Sequence, residues 1–402
     1  MSFTNRCHPV PTGIIWGSSM GEYFFGDYHP MHPSRLDATA RLASDLGIFD
    51  LPQVNVEEPE VAGDSVLCLA HDQKYIDEVK AVSANPQLTI EDCGLGTEDT
   101  PGYAGIHEAS ARLAGGSYQA AEMILNGSAV HAVNFGGGMH HAARNRASGF
   151  CIYNDCAVAI QHLLDQGVKR VAYIDVDAHH GDGTQSIFWD NPNVMTISMH
   201  ETGMKLFPGT GFCNESGPEG IASGTSINVA MPENASDSDW IRAFDAVIPA
   251  ILRAFQPEVI VSQHGCDSHF SDDMSHLGIS IECQREIAGY VSVLADELCE
   301  SRWIATGGGG YSIYDAVPRA WTHLMATAAG SPLGVQLHTP TSWQEYMLEK
   351  YGTRAPTVMG DFTDLWWSSW EIGFNPADET DRTVMATRKE VFPHWGLDPW
   401  YD

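Results

Sequence analysis

Five consecutive residues, Asp175-Val176-Asp177-Ala178-His179, alternate reactive and apolar side chains. In extended backbone, positions i, i+2 and i+4 share a face, so two carboxylates and an imidazole point the same way. That arrangement suits a metal ion. With Asp267 brought in from another strand, the donors are oxygen and imidazole with no thiolate, as in an open catalytic zinc site, and Fe(II) or Mn(II) fits the same set. Taken alone, the run also reads as capping and loop carboxylates beside a core histidine. A tandem pair, His140-His141, offers two imidazoles whose proton affinities separate carboxylate partners such as Asp175 and Asp182 would set. Four glycines, 307–310, precede Tyr311. They lack the Lys-Ser/Thr of a Walker loop and the G-x-G-x-x-G of a dinucleotide site. Instead they permit a tight turn that presents the phenol to polarise a carbonyl or hold an oxyanion.

Such residues act together only if the fold gathers them. Short apolar or β-branched runs at 130–135, 170–174, 194–199, 258–262 and 303–306 predict buried strands. Helical periodicity predicts helices over 156–165, 239–255 and 281–298, the first with Asn154 or Asp155 as N-cap and Gly167 as its stop. Alternation of this kind implies an α/β fold, a mostly parallel sheet flanked by helices on both faces. Ligands bind such sheets beyond the carboxyl ends of the strands, and there all five predicted strands run into reactive residues: His140 and His141; Asp175, Asp177, His179 and Asp182; Ser198 and His200; His264 and Asp267; the glycines and Tyr311.

The chain has 402 residues, 43% of them hydrophobic and 18% charged, which excludes a disordered protein. Its net charge of −31 stays negative with all 18 histidines protonated, so neither nucleic acid nor an anionic membrane surface is an expected direct partner, and cationic partners are favoured. No run approaches the about 18 apolar residues of a membrane span, and the start MSFTNRCHPVPTG has no leader pattern, so a cytoplasmic protein is expected. Nine cysteines without a CxxC pair predict free, buried thiols. One domain is expected over 1–330. Six of the eleven tryptophans follow in 331–402, an extension expected to pack back on the same domain. No motif specifies an oligomeric state.

Several segments match a family in its own order: HPMHPSR (29–35), TEDTP (97–101), HHAARNRASGFCIYNDCAVAI (140–160), YIDVDAHHGDGTQSIF (173–188), MTISMHE, FPGTG, QHGCDSH and TGGGGYSIYDAVPRAW. Together they resemble the zinc-dependent histone deacetylase superfamily, with its arginase/deacetylase fold. The tail segments SWQEYMLEKYG and PADETDRTVMATRKEVFPHWGLDP look most like its bacterial acetoin-utilisation (AcuC-like) branch. The resemblance implies that Asp177, His179 and Asp267 hold Zn2+, that His140 and His141 form dyads with Asp175 and Asp182, and that Tyr311 binds the substrate carbonyl. It places Gly149, Phe150 and Phe207 on the walls of an acyl-lysine channel, with Met274 at its flank and Gly309 on its substrate side. Asp99 becomes the rim carboxylate that holds the substrate backbone, and Arg35 lines an internal cavity behind the metal. A structural K+ is implied at the Asp175 and Ser198 side chains with the carbonyls of Asp177, His179 and Met199, and a second near residues 188–194.

The implied reaction is hydrolysis of acetyl groups from protein lysines, with an acyl-CoA synthetase as the implied target. An acetylpolyamine amidohydrolase is the alternative, and Asp182, where the polyamine branch often has Asn, favours the protein substrate. Thr100 departs from the cysteine that follows the rim carboxylate in many eukaryotic relatives. A non-catalytic acyl-lysine binding module would not need the complete set of ligands, dyads and Tyr311. An arginase-like ureohydrolase would need a second set of metal carboxylates, and the sequence shows no complete one.

Overall fold

The computed structural model describes residues 8–402, and eight parallel strands form one open sheet in it. Of the start MSFTNRCHPVPTG, the residues up to and including Cys7 lie outside the described residues. In chain order the strands are β1 (Thr12–Ile15), β2 (Val54–Glu57), β3 (His131–Asn134), β4 (Val171–Asp175), β5 (Val194–Glu201), β6 (Ser226–Met231), β7 (Val259–Gln263) and β8 (Trp303–Thr306). They lie in the order β2-β1-β3-β8-β7-β4-β5-β6. The five strands predicted from sequence are therefore contiguous in the sheet. Registered pairs continue from Asn134 through Thr306, Gln263 and Asp175 to Ser198, a row of polar residues across the carboxyl end of the sheet. Upstream of this row the strands are buried on both faces and mostly apolar, as a parallel sheet requires.

Helices cover both faces. Asp155–Asp165 starts where the Asn154 side chain accepts the Ala157 N–H at 2.9 Å, which assigns the cap that the sequence left between two residues. Asp237–Phe255 opens on a reciprocal capping box between Ser236 and Asp239, and Ile281–Leu298 is capped by Ser280. The sequence reading did not identify β1, β2 or β6. β1 is only TGII, and Gly13 sits so close to Met123 that a Cβ there would meet its sulfur at 2.2 Å. β2 is a half-exposed edge without an apolar run. At the opposite edge, helix Glu379–Val391 covers β6, where Thr387 Oγ1 donates to Asn228 O at 2.7 Å.

Helix Thr341–Tyr351 lies on Ser34–Asp45, with the Trp343 indole donating to Ala38 O at 3.0 Å and the Tyr346 and Tyr351 hydroxyls both donating to Asp37. Trp370 is held between the guanidinium groups of Arg242 and Arg388, 4.9 and 5.2 Å from its ring centre. Trp366 and Trp400 remain exposed. Among the described residues, no helix is long and apolar enough to cross a membrane.

Candidate active site

β4 ends at Asp175, and the chain leaves the sheet with Asp177 and His179 turned toward the loop after β7, which supplies Asp267. His179 Nδ1 lies 3.1 Å from Asp177 Oδ1 and 3.1 Å from Asp267 Oδ2, and one donor atom from each of the three falls within 4.8 Å of the others. Such spacing is compatible with ligands about 2 Å from one shared ion. Both carboxylates are fully buried. Asp177 Oδ2 accepts from Gln263 Nε2 and the Gly309 N–H, each at 2.8 Å, while Asp267 Oδ1 accepts the Ala178 N–H at 2.8 Å. Glycine is required for this approach, because a Cβ at Gly265 would lie 1.8 Å from Asp177 Oδ2 and one at Gly309 1.9 Å from Asp267 Oδ2. No lysine or arginine among the described residues hydrogen-bonds either carboxylate. Burial, with the neighbouring Asp177 charge, pushes Asp267 up to about 7, and despite burial the two carboxylates hold His179 well above the usual imidazole range. Two desolvated acids and an imidazole with no lysine or arginine bonded to them are a donor set that a divalent ion fits.

Beside this cluster, His140 Nδ1 bonds Asp175 Oδ2 and His141 Nδ1 bonds Asp182 Oδ1, both at 2.7 Å. The Nε2 atoms of the two rings are 3.1 Å apart. Although burial disfavours its charge, the carboxylates of Asp175 and Asp177 push His140 up to about 9. Burial and the charge on His140 push His141 down to about 4. One ring therefore carries a proton that denies it to its neighbour. The difference follows from position: Asp175 is fully buried and also accepts the Tyr173 hydroxyl at 2.6 Å, whereas the Asp182 side chain is 29% exposed.

Tyr311 closes the site from the β8 side. Its amide N–H and that of Ser312 donate to Asp272 Oδ2 at 2.6 and 2.9 Å. Burial holds its phenol well above the ordinary tyrosine range, so it is a hydrogen-bond donor at neutral pH. Around the opening, Phe150 meets the Tyr311 ring edge-on at 5.9 Å, and Phe207 meets His141 at 5.0 Å. Gly149 has its N–H on Asp99 Oδ2 at 2.7 Å, and a Cβ there would strike the His141 ring. Thr100 is buried behind Asp99 with its hydroxyl on Gly94 O. Met274 is half-buried with its N–H on Asp272 Oδ1 at 3.0 Å. Arg35 lies behind the glycine run, donating to Gly308 O and Gly310 O at 2.9 and 3.2 Å. Ser198 is registered beside Asp175 and its Oγ bonds His200 Nδ1 at 2.8 Å, with Met199 buried in the same strand.

Four supporting residues escaped the sequence reading. Gln263 and Tyr173 carried a positional signal, since one ends β7 and the other shares a face with Asp175 two residues on. Asp155 read as a cap candidate, but its carboxylate accepts the N–H groups of Gly138 and Met139, shaping the turn that delivers His140 and His141. Asp272 had no local signal: its role depends on a loop 39 residues away.

Residues 29–328 match the histone deacetylase domain family. Among curated proteins, the chain is 41% identical over 355 residues to an acetoin utilization protein AcuC of Bacillus subtilis, covering 88% of this chain and 90% of that one. It is 35% identical over 363 residues to an acetoin utilization protein AcuC of Staphylococcus aureus, covering 89% and 92%, and 36% identical over 340 residues to that of Staphylococcus xylosus, covering 83% and 88%.

Proposed function

The chain belongs to the histone deacetylase family, and from that premise we propose that it is a zinc-dependent amidohydrolase removing acetyl groups from lysine side chains of proteins. The observation that carries this reading is the convergence of the buried Asp177, His179 and Asp267 donors with the His141–Asp182 pair and Tyr311 at the end of one narrow opening. In this proposal Asp177, His179 and Asp267 hold Zn2+, with Fe2+ as a second ion of suitable chemistry. When bound, the ion supplies a Lewis acid for the amide carbonyl and acidifies water. Asp175 and Ser198, with the carbonyls of Asp177, His179 and Met199, hold a structural K+, and residues 188–194 a second.

His141 is neutral at pH 7 and oriented by Asp182, so it accepts the proton of the attacking water and returns it to the departing lysine amine. His140 keeps its proton and contributes positive field beside the reacting groups. The Tyr311 phenol donates to the developing oxyanion. Acetylation removes the lysine charge, so Gly149, Phe150 and Phe207, with Met274 at the flank, can enclose an uncharged stem without burying an ion. Gly309 lines the substrate side, Arg35 lies in the internal cavity behind the metal, and Asp99 meets the substrate backbone at the rim. In the same proposal the target is an acyl-CoA synthetase and the compartment is the cytoplasm.

Purified protein loaded with Zn2+ or Fe2+ should hydrolyse an acetyl-lysine peptide faster than acetylspermidine, and a hydroxamate should compete with the peptide. Faster turnover of acetylspermidine would move the assignment to a polyamine amidohydrolase. No hydroxamate inhibition at millimolar concentration would argue against an accessible metal.

A further inference from the structure

Tyr311 lines two spaces. On its inner side is the small opening with His140, His141 and Gly149; on its outer side a groove of about 700 Å³ runs away from the site. One wall of that groove is the loop after Asp267, with Phe270 and Asp273, and the other is residues 353–362 of the C-terminal extension, with Arg354 and Phe362. Asp315 lies in it as well, its carboxylate 47% exposed beside Arg319.

Phe362 has no place in the core. It is 69% exposed, and it holds φ = 60°, a left-handed backbone that phenylalanine rarely adopts. The turn is nevertheless pinned, because the Glu282 carboxylate accepts the N–H groups of Asp361 and Thr363, and Asp361 in turn binds His269 Nε2 at 2.9 Å and Arg319 Nη1 at 2.8 Å. Phe270, 58% exposed on the facing wall, lies tilted against the same His269, 4.3 Å between ring centres. Among the described residues outside glycine, one other phenylalanine has positive φ: Phe150, at 64°, in the channel wall. A strained turn fixed by its surroundings, presenting a ring at an opening, thus occurs at both spaces that Tyr311 lines.

We propose that this groove binds the polypeptide flanking the acetylated lysine, seating an apolar side chain between Phe270 and Phe362 and a basic side chain against Asp273 and Asp315. The inference rests on the protein-deacetylase reading and gives it a specificity surface. A polypeptide is favoured because it can place an apolar side chain between the two rings and a basic one on the acids at once, whereas a linear polyamine brings only ammonium groups and has no apolar side chain to seat there. The acids and the chain's net charge of −31 favour basic flanking residues.

The test uses the full-length, metal-loaded protein with a seven-residue acetyl-lysine peptide carrying leucine and arginine flanks, and with capped acetyl-lysine alone. Phe270→Ala with Phe362→Ala should lower kcat/KM for the peptide about fivefold to tenfold, the loss expected for truncated aromatic anchors, while capped acetyl-lysine turns over as before. Asp273→Lys should weaken the arginine-flanked peptide and leave a glutamate-flanked one unharmed. Fluorescence anisotropy with the deacetylated peptide reads the groove without turnover, and its Kd should weaken by the same factor. Equal losses on both substrates, or an unchanged Kd, would overturn the groove. Peptide binding that depends on Phe270 and Phe362 without hydrolysis of either substrate would instead refute the deacetylase reading and leave the groove standing.

Discussion

The inner opening and the outer groove meet at Tyr311 but are built from different material. Inside, charged groups are desolvated and satisfied in full: Asp177, Asp267 and Asp175 are buried, and each has two or more partners drawn from strand ends and glycine turns. Outside, aromatic rings face water on loops, and half the wall belongs to the extension beyond the matched family segment. Buried charges tolerate little change, because removing one partner strands the other. Exposed rings on loops can be exchanged at small cost to folding. The inner region can therefore keep one chemistry while the outer one selects the substrate.

Five substitutions sharpen or break this contrast. The largest effect is expected for Asp267→Ala, which should abolish stoichiometric metal after dialysis and with it all measurable turnover; full retention of zinc would remove Asp267 from the ligand set. Tyr311→Phe should lower kcat by about 10² while metal content stays intact, the loss typical of one oxyanion donor, and near-normal turnover would refute that role. At the junction of the two regions, Asp272→Ala frees the Tyr311 and Ser312 N–H groups. It should cost about tenfold in kcat, within the range for a misplaced catalytic group, with KM for capped acetyl-lysine and metal content unchanged. A rise in KM alone would make Asp272 part of the groove and not a positioning residue for Tyr311.

The smallest effect concerns the supports beneath each region. Burial pushes both His264, under the inner site, and His323, whose Nε2 bonds Met359 O of the extension, down to about 3; Arg285 and Arg319 reinforce the second. Both are neutral in the fold and take up a proton in the unfolded chain below about pH 6.5. Their stabilisation is full above that pH and is lost as pH falls toward 3, by about 1.4 kcal/mol per pH unit for each. Urea unfolding at stepped pH should show this slope, and His264→Gln and His323→Gln should each flatten it. Equal pH slopes in parent and variants would mean that these rings are not held neutral.

Much of the site was legible because its chemistry is local. The alternation of Asp175, Asp177 and His179, the tandem histidines and the glycine run before Tyr311 each fall within a few residues, at strand ends recognisable from apolar runs. Helix 281–298 was read to the residue, since its periodicity is also local. What escaped was non-local or unpatterned: the short β1, the exposed edge β2, β6 under its covering helix, and the carboxylates of Asp155 and Asp272, whose partners lie on other segments.

The sequence by itself determined which donors exist and that they gather at strand ends, but the period of two holds only to Asp175, after which the chain bends and Asp177 and His179 no longer follow it. Only the tertiary structure decided their company. His179 meets Asp267 across 88 positions because β7 lies next to β4, and Tyr311 closes the same site because β8 lies next to β7. It also made His140 and His141, adjacent in sequence and identical in chemistry, differ in proton affinity, because depth in the fold and the carboxylates it brings near set the cost of a charge.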